Sequence, residues 1–206
     1  MQNQNLASQW LSRAEGSAMG KALRDRVPRS SHEEWKPAPN RPDSVALLEE
    51  SNQGRLLELV PIRYGRMLKS PFAFLRGAAN IMAADLSETP KTGIKVQTCG
   101  DCHLSNFGGY GTPERNLVFD VNDFDETLLA PWEWDVKRLA ASIVVAGRYL
   151  KLSEKNRFII SGYLGQSDTF DRAIANFAVA YAEQTERDYK ALADAVAAGQ
   201  IKAIEE

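Results

Sequence analysis

Asp101 and Asn106 stand five positions apart in the run Cys99-Gly-Asp-Cys-His-Leu-Ser-Asn106, and a second polar run, Asn122-Asp-Phe-Asp-Glu126, follows a short strand-forming stretch. These residue types suit phosphoryl transfer. That reaction calls for a carboxylate that orients or deprotonates the attacking hydroxyl, and for a divalent cation held by oxygen ligands that offsets the charge developing on phosphate. Asp101 is the candidate for the first role. A magnesium ion takes few protein ligands and keeps much of its water, so the amide oxygen of Asn106 and the carboxylate of Asp123 suffice beside nucleotide phosphates. Asp120 and Asp125 compete with Asp123 for the second ligand position. Strand alternation sets Asp123 on the face of Phe119 and Val121 and turns Asp120 the other way. His103 is better suited to bracing the loop by hydrogen bonding than to the chemistry, since neither metal nor phosphate demands an imidazole.

The same loop admits rival readings. Cys99-x-x-Cys102-His103 has the form of a c-type haem attachment sequence with His103 as axial ligand, but the pattern is short and haem attachment requires export. A thioredoxin-like redox pair is a second rival, because the two thiols follow a strand; Asp101 between them and the lack of a companion fold count against it. Zinc would need two ligands besides the cysteines, and His32 is the only other histidine in the chain.

The elements that must position these residues follow from periodicity and punctuation. Ile94, Val96 and Thr98 alternate with polar residues and describe a strand leading into Cys99. Gly108 to Pro113 reads as a turn, and Leu117, Phe119 and Val121 as a second strand, so that a hairpin folds Asp123 back toward Asn106. Upstream, Leu6, Trp10, Ala14 and Ala18, with Leu11 and Leu23 beside them, form a helical stripe ending before Val27-Pro28. A proline-rich arm follows to Pro42, and a short helix covers Ser44 to Ser51. Ser70-Pro71 starts a helix, with Phe72, Leu75, Ala79, Met82 and Leu86 on one buried face. Pro131 opens another, with Trp132, Val136, Leu139, Ile143 and Leu150 on one side. Ser167 or Asp168 caps the last, whose stripe runs Phe170, Ile174, Phe177, Tyr181, Tyr189, Leu192 and Val196 to a stop at Gly199.

The 206-residue chain is 44% apolar and 25% charged, an ordinary globular composition, and its net charge of −2 gives no electrostatic reason to expect nucleic acid or an anionic membrane surface as partner. No apolar run reaches bilayer-spanning length and no signal-peptide core stands at the start, so a cytoplasmic location is the expectation. Two cysteines are no disulfide framework. The expected class is α+β, mostly helical, with residues 1–43 as helix and arm and 44–206 as the main domain.

The pattern Gly100-Asp-x-His-x-x-Asn106, followed by a strand and Asp123-Phe-Asp125, resembles the aminoglycoside and choline phosphotransferase branch of the protein-kinase-like fold. Pro131-Trp-Glu-Trp-Asp135 resembles the segment of that branch in which a Trp-Asp pair starts a helix. The resemblance implies the helical lobe of a kinase-like fold with a small β-hairpin, Mg2+ and ATP as cofactors, a small-molecule acceptor, and Asp135 as support for the catalytic-loop backbone. Cys99 departs from the branch, which usually carries histidine there. A longer resemblance is to an uncharacterised bacterial family known as domain of unknown function 2252. It rests on Val60-Pro-Ile-Arg-Tyr-Gly-Arg-Met67, Ser70-Pro-Phe-Ala-Phe-Leu-Arg-Gly77, the Gly100 to Asn106 loop, Asn122-Asp-Phe-Asp-Glu-Thr127, Trp132-Glu-Trp-Asp-Val-Lys-Arg-Leu139 and Tyr181-Ala-Glu-Gln-Thr-Glu-Arg-Asp-Tyr189. By that resemblance a nucleotide-lobe segment with a Gly-rich turn is missing near residues 152–160, so the chain is internally shortened, either an active phosphotransferase or a non-catalytic remnant. A helix face that once met the missing segment would then be free for self-association.

Overall fold

The computed structural model describes residues 11–152 and 169–204, a mostly helical α+β chain with two small antiparallel sheets. Helix α1, Arg13–Arg26, opens on a reciprocal capping box in which the Glu15 amide donates to Ser12 Oγ and the Ser12 amide to Glu15 Oε2. None of its residues is buried. Small side chains at Ala14 and Ala18 offer too little apolar area to hold the helix on a core; Leu6 and Trp10 of the expected stripe lie outside the described residues.

The proline-rich arm is bound along the body of the protein. It forms a 3-10 turn at Arg29–His32, buries His32 and Trp35, and sets the Trp35 ring edge-on to Tyr181 at 4.9 Å. Arg41 then anchors its end, donating to both oxygens of Asp85 (2.7 and 2.8 Å) and both of Asp188 (3.0 and 2.7 Å). Burial works against the guanidinium charge, but the two carboxylates outweigh it and hold the proton more tightly than in free arginine.

The helical body follows: α2, Ser44–Glu50, capped by Asp43; α3, Val60–Met67; α4, Pro71–Gly77, capped by Ser70; and α5, Ala79–Ser87. The apolar repeat from Phe72 to Leu86, expected to ride on one helix, is carried by two. Ala78 leaves the helical region at φ −123 and ψ 38, and Arg63 Nη2 takes the Gly77 carbonyl at 2.6 Å. Met67 packs so closely on Gly77 that a Cβ there would meet it at 2.7 Å. Packing of α3 therefore decides the break. Leu48, Tyr64, Met67, Phe74, Ile81 and Leu192 form the larger apolar cluster beneath it.

Strand β1, Lys95–Thr98, pairs with β4, Leu128–Pro131, and between them the chain makes a second pair, β2, Phe107–Gly111, with β3, Leu117–Val121. Gly108 and Gly109, expected in the turn, lie in β2 opposite Asp120 and Phe119; the turn is built instead by Thr112 to Asn116. A Cβ at 108 would stand 2.6 Å from the tip of the exposed Asn122 side chain, which would have to turn aside. Pro131, expected to open a helix, ends β4.

Helix α6, Glu133–Tyr149, packs along α7, Thr169–Ala197. The buried face of α6 is not the apolar stripe that periodicity picks out. Ile143 and Leu150 are exposed, whereas Glu133, Lys137, Arg138, Ser142, Ala141 and Val145 are buried. Tertiary partners override the period here: Glu133 Oε1 accepts from the Thr92 amide and hydroxyl at 2.8 and 2.6 Å, and Lys137 Nζ lies 4.6 Å from the centre of the Phe177 ring. In α7 the expected stripe does face the body, with Ile174, Phe177, Tyr181 and Leu192 buried, and the helix stops at Gly199, whose φ is +73. Its expected cap at 167 or 168 lies outside the described residues, as does the segment near 153–160.

Candidate functional site

The loop from Cys99 to Asn106 is held from behind, residue by residue. Asp135, in the first turn of α6, accepts from the Cys99 amide at 2.9 Å and the Gly100 amide at 3.4 Å. Ser142, two turns further on, accepts from the Leu104 amide at 3.0 Å. Asn106 reaches back across the loop, its Nδ2 donating to the main-chain carbonyl of Asp101 at 2.8 Å. That bond closes the five-residue step between the two residues into a ring and holds the buried Asn106 amide with its nitrogen toward the Asp101 carbonyl.

Arg138 is the residue that sequence reasoning missed. Its Nε donates to Asp101 Oδ1 at 2.6 Å and its Nη2 contacts the same oxygen, while Nη2 also donates to the Leu75 carbonyl at 2.7 Å. On the other side His103 Nε2 stands 3.4 Å from Asp101 Oδ2. Burial favours the neutral acid, but the His103 hydrogen bond and the Arg138 charge prevail and hold the Asp101 carboxyl below the usual carboxylate range. His103 is itself buried, edge-on to Phe72, in a bracing position. The signal for Arg138 was present: a charged residue three positions after Asp135 lies on the same helix face, one turn along.

The second run is placed by strand register. Phe107 pairs with Val121, and the Asn122 amide donates to the Asn106 carbonyl at 2.9 Å, so Asp123 follows directly after the residue bound to Asn106. Strand β3 ends at Val121, which puts Asp123 beyond the pleat and leaves strand alternation no say in its direction. Asp120, Asp123 and Asp125 are all exposed. Asp120 Oδ1 accepts from the Val121 amide at 2.7 Å and Asp123 Oδ1 from the Asp125 amide at 3.2 Å. The far end of this run is fastened to β1, where Thr127 Oγ1 donates to the Thr98 carbonyl at 2.6 Å. The two loops meet at Gly100. Its φ is +88, and a Cβ there would lie 1.9 Å from the Glu126 carbonyl oxygen, so no other residue fits without moving one loop.

The cysteines flank Asp101 and are buried. Burial, then the proximity of the second thiol and Asp135, push the Cys99 thiol far up; burial pushes Cys102 up to about 11. That is the reverse of the electropositive setting that makes a reactive thiolate.

A family model described as an uncharacterized protein conserved in bacteria (DUF2252) matches residues 55–158 and 155–195, more than half of the chain. The chain belongs to this family. No curated protein and no solved structure matches it. Within the DUF2252 match lie the Asp101 loop, the Asn122 to Glu126 run, Asp135 and Arg138, whereas α1, the arm and Arg41 precede it. Among the described residues, no helix is long and apolar enough to cross a membrane.

Proposed function

We propose that this chain carries the catalytic loop of a Mg-dependent phosphotransferase of kinase-like type, acting on a hydroxyl or amine of a small molecule. The observation that carries the reading is the bond from Asn106 Nδ2 to the Asp101 carbonyl, on a loop whose Asn106 carbonyl takes the amide of Asn122, the residue before Asp123. The donor set suits magnesium, since Asn106 and Asp123 both offer hard oxygen. Bound Mg·ATP would supply the transferable phosphoryl group and the positive charge that offsets its oxygens. Asp101, kept ionised by Arg138, accepts a hydrogen bond from the acceptor hydroxyl and aims it. A carboxylate with a lowered pKa is a weak base, which fits a reaction whose loose transition state asks for positioning more than for proton abstraction. Asp135, Ser142 and His103 keep the loop in shape.

The test is thermal unfolding of the full chain with and without Mg·ATP. A ligand that binds only the folded state raises the midpoint. A rise that disappears in Asp123→Ala supports the reading and justifies a search for the acceptor. Absence of any rise at millimolar Mg·ATP favours a non-catalytic descendant of the fold, one that keeps the loop without nucleotide.

A further inference from the structure

We propose that Cys99, Cys102 and Asp135 form a structural site for a thiophilic divalent cation, of which zinc is the type, seated behind the Asp101 loop. Along the sequence the two cysteines have no third zinc ligand of their own motif. The fold brings a third from thirty-odd residues away: one ligand atom from each of the three side chains lies within 4.8 Å of the others. Two features create the convergence. The chain reverses at Gly100, whose φ of +88 brings the flanking thiols together, and the first turn of α6 delivers Asp135 to the same spot.

The donor chemistry selects the ion. Two sulfurs exclude magnesium and calcium and suit zinc, with the carboxylate as a hard third ligand and a water brought in with the ion as the fourth. Both cysteines are buried, each 5% exposed, which shields the sulfurs from bulk solvent. Entry of the cation releases the two S–H protons to solvent and changes no oxidation state. The Cys99 and Gly100 amides that donate to Asp135 act as an outer layer that fixes the carboxylate. Bound metal would tie both sides of Gly100-Asp101 to α6. This site shares no ligand with the oxygen site of Asn106 and Asp123, and it stands or falls separately from the phosphotransfer reading.

The test uses the reduced full chain. Metal content is measured by mass spectrometry, and the metal-stripped protein is titrated with cobalt(II) and with zinc(II). The expected result is about one equivalent bound, with thiolate-to-cobalt charge-transfer absorption in the near ultraviolet. Cys99→Ser and Cys102→Ser each lower that absorption by about half, Asp135→Asn weakens binding about tenfold or more, and Asp123→Asn leaves the spectrum as it was. Should a cysteine variant not fold, the wild-type thiols decide: zinc slows their reaction with a thiol reagent and a chelator restores it. Folded, reduced protein that shows no cobalt–thiolate absorption and no thiol protection by zinc overturns the proposal. So does absorption that survives loss of both thiols.

Discussion

Two loops meet at Gly100, and they are held in opposite ways. In the run from Cys99 to Asn106, backbone amides at 99, 100 and 104 are bound by side chains of α6, and the Asp101 carboxylate is gripped by Arg138. The run from Asn122 to Glu126 is exposed and fastened at its ends, through Asn122 to Asn106 and through Thr127 to Thr98. A loop tied from behind can present one side chain in one direction. A loop tied only at its ends has more room to shift, and the proposed reaction would ask that same division of labour of a positioned carboxylate and a displaceable metal ligand.

Gly100→Ala should break the contrast most severely, because it combines a left-handed backbone with a backbone oxygen inside van der Waals distance. A loss of about 3 kcal/mol or more is expected, read as a fall in the urea midpoint. Arg138→Met comes next. It leaves Asp101 largely buried without its cation, and unfolding free energy at neutral pH should drop by about 3 kcal/mol, whereas Arg148→Met, half-buried on the same helix and paired with exposed glutamates, should cost under about 1 kcal/mol.

Lys137 sharpens the comparison from the other side of α6. Burial lowers its pKa to about 8, against a smaller opposing pull from Glu133, and its nearest charged or titratable neighbours are Glu133 and His32. Between about 8 and the unfolded value of 10.5 the unfolded chain binds the extra proton, so stability rises with pH across that window. Lys137→Met should abolish that rise, measured as midpoint against pH. A flat profile in the wild type would show that the ammonium is solvated. The smallest expected effect is Asp123→Asn. On an exposed run it should change stability by less than about 0.5 kcal/mol while removing any Mg·ATP-dependent rise in midpoint. A large destabilisation would mean that the exposed run is as firmly built in as its neighbour.

What could be read from the chain depended on whether a residue's role is local. Ser70 and Gly199 act on amides or carbonyls within a turn of themselves, and the helix limits they mark are found. Alternation marked the β3 arm of the hairpin, but the turn was not legible, because Gly108 and Gly109 continue a strand opposite Asp120 and Phe119 and the chain reverses only at Thr112 to Asn116. The buried face of α6 was misread for the same kind of reason. Periodicity assumes that apolar residues go inside, and α6 instead buries Glu133, Lys137 and Arg138 to serve Thr92, Phe177 and Asp101.

By itself the sequence determined the α+β class, the Ser70 cap, strands β1 and β3, the family, and the two polar runs with their spacing, since each depends on neighbours within a few residues or on whole motifs. Only the tertiary structure decided that Arg138 grips Asp101, that Arg41 anchors the arm to Asp85 and Asp188, that the Phe72 to Leu86 repeat is broken in two, and that Asp135 joins Cys99 and Cys102. Those contacts link positions far apart in the chain. Burial is what makes them strong, and burial comes only when helices and sheets have packed.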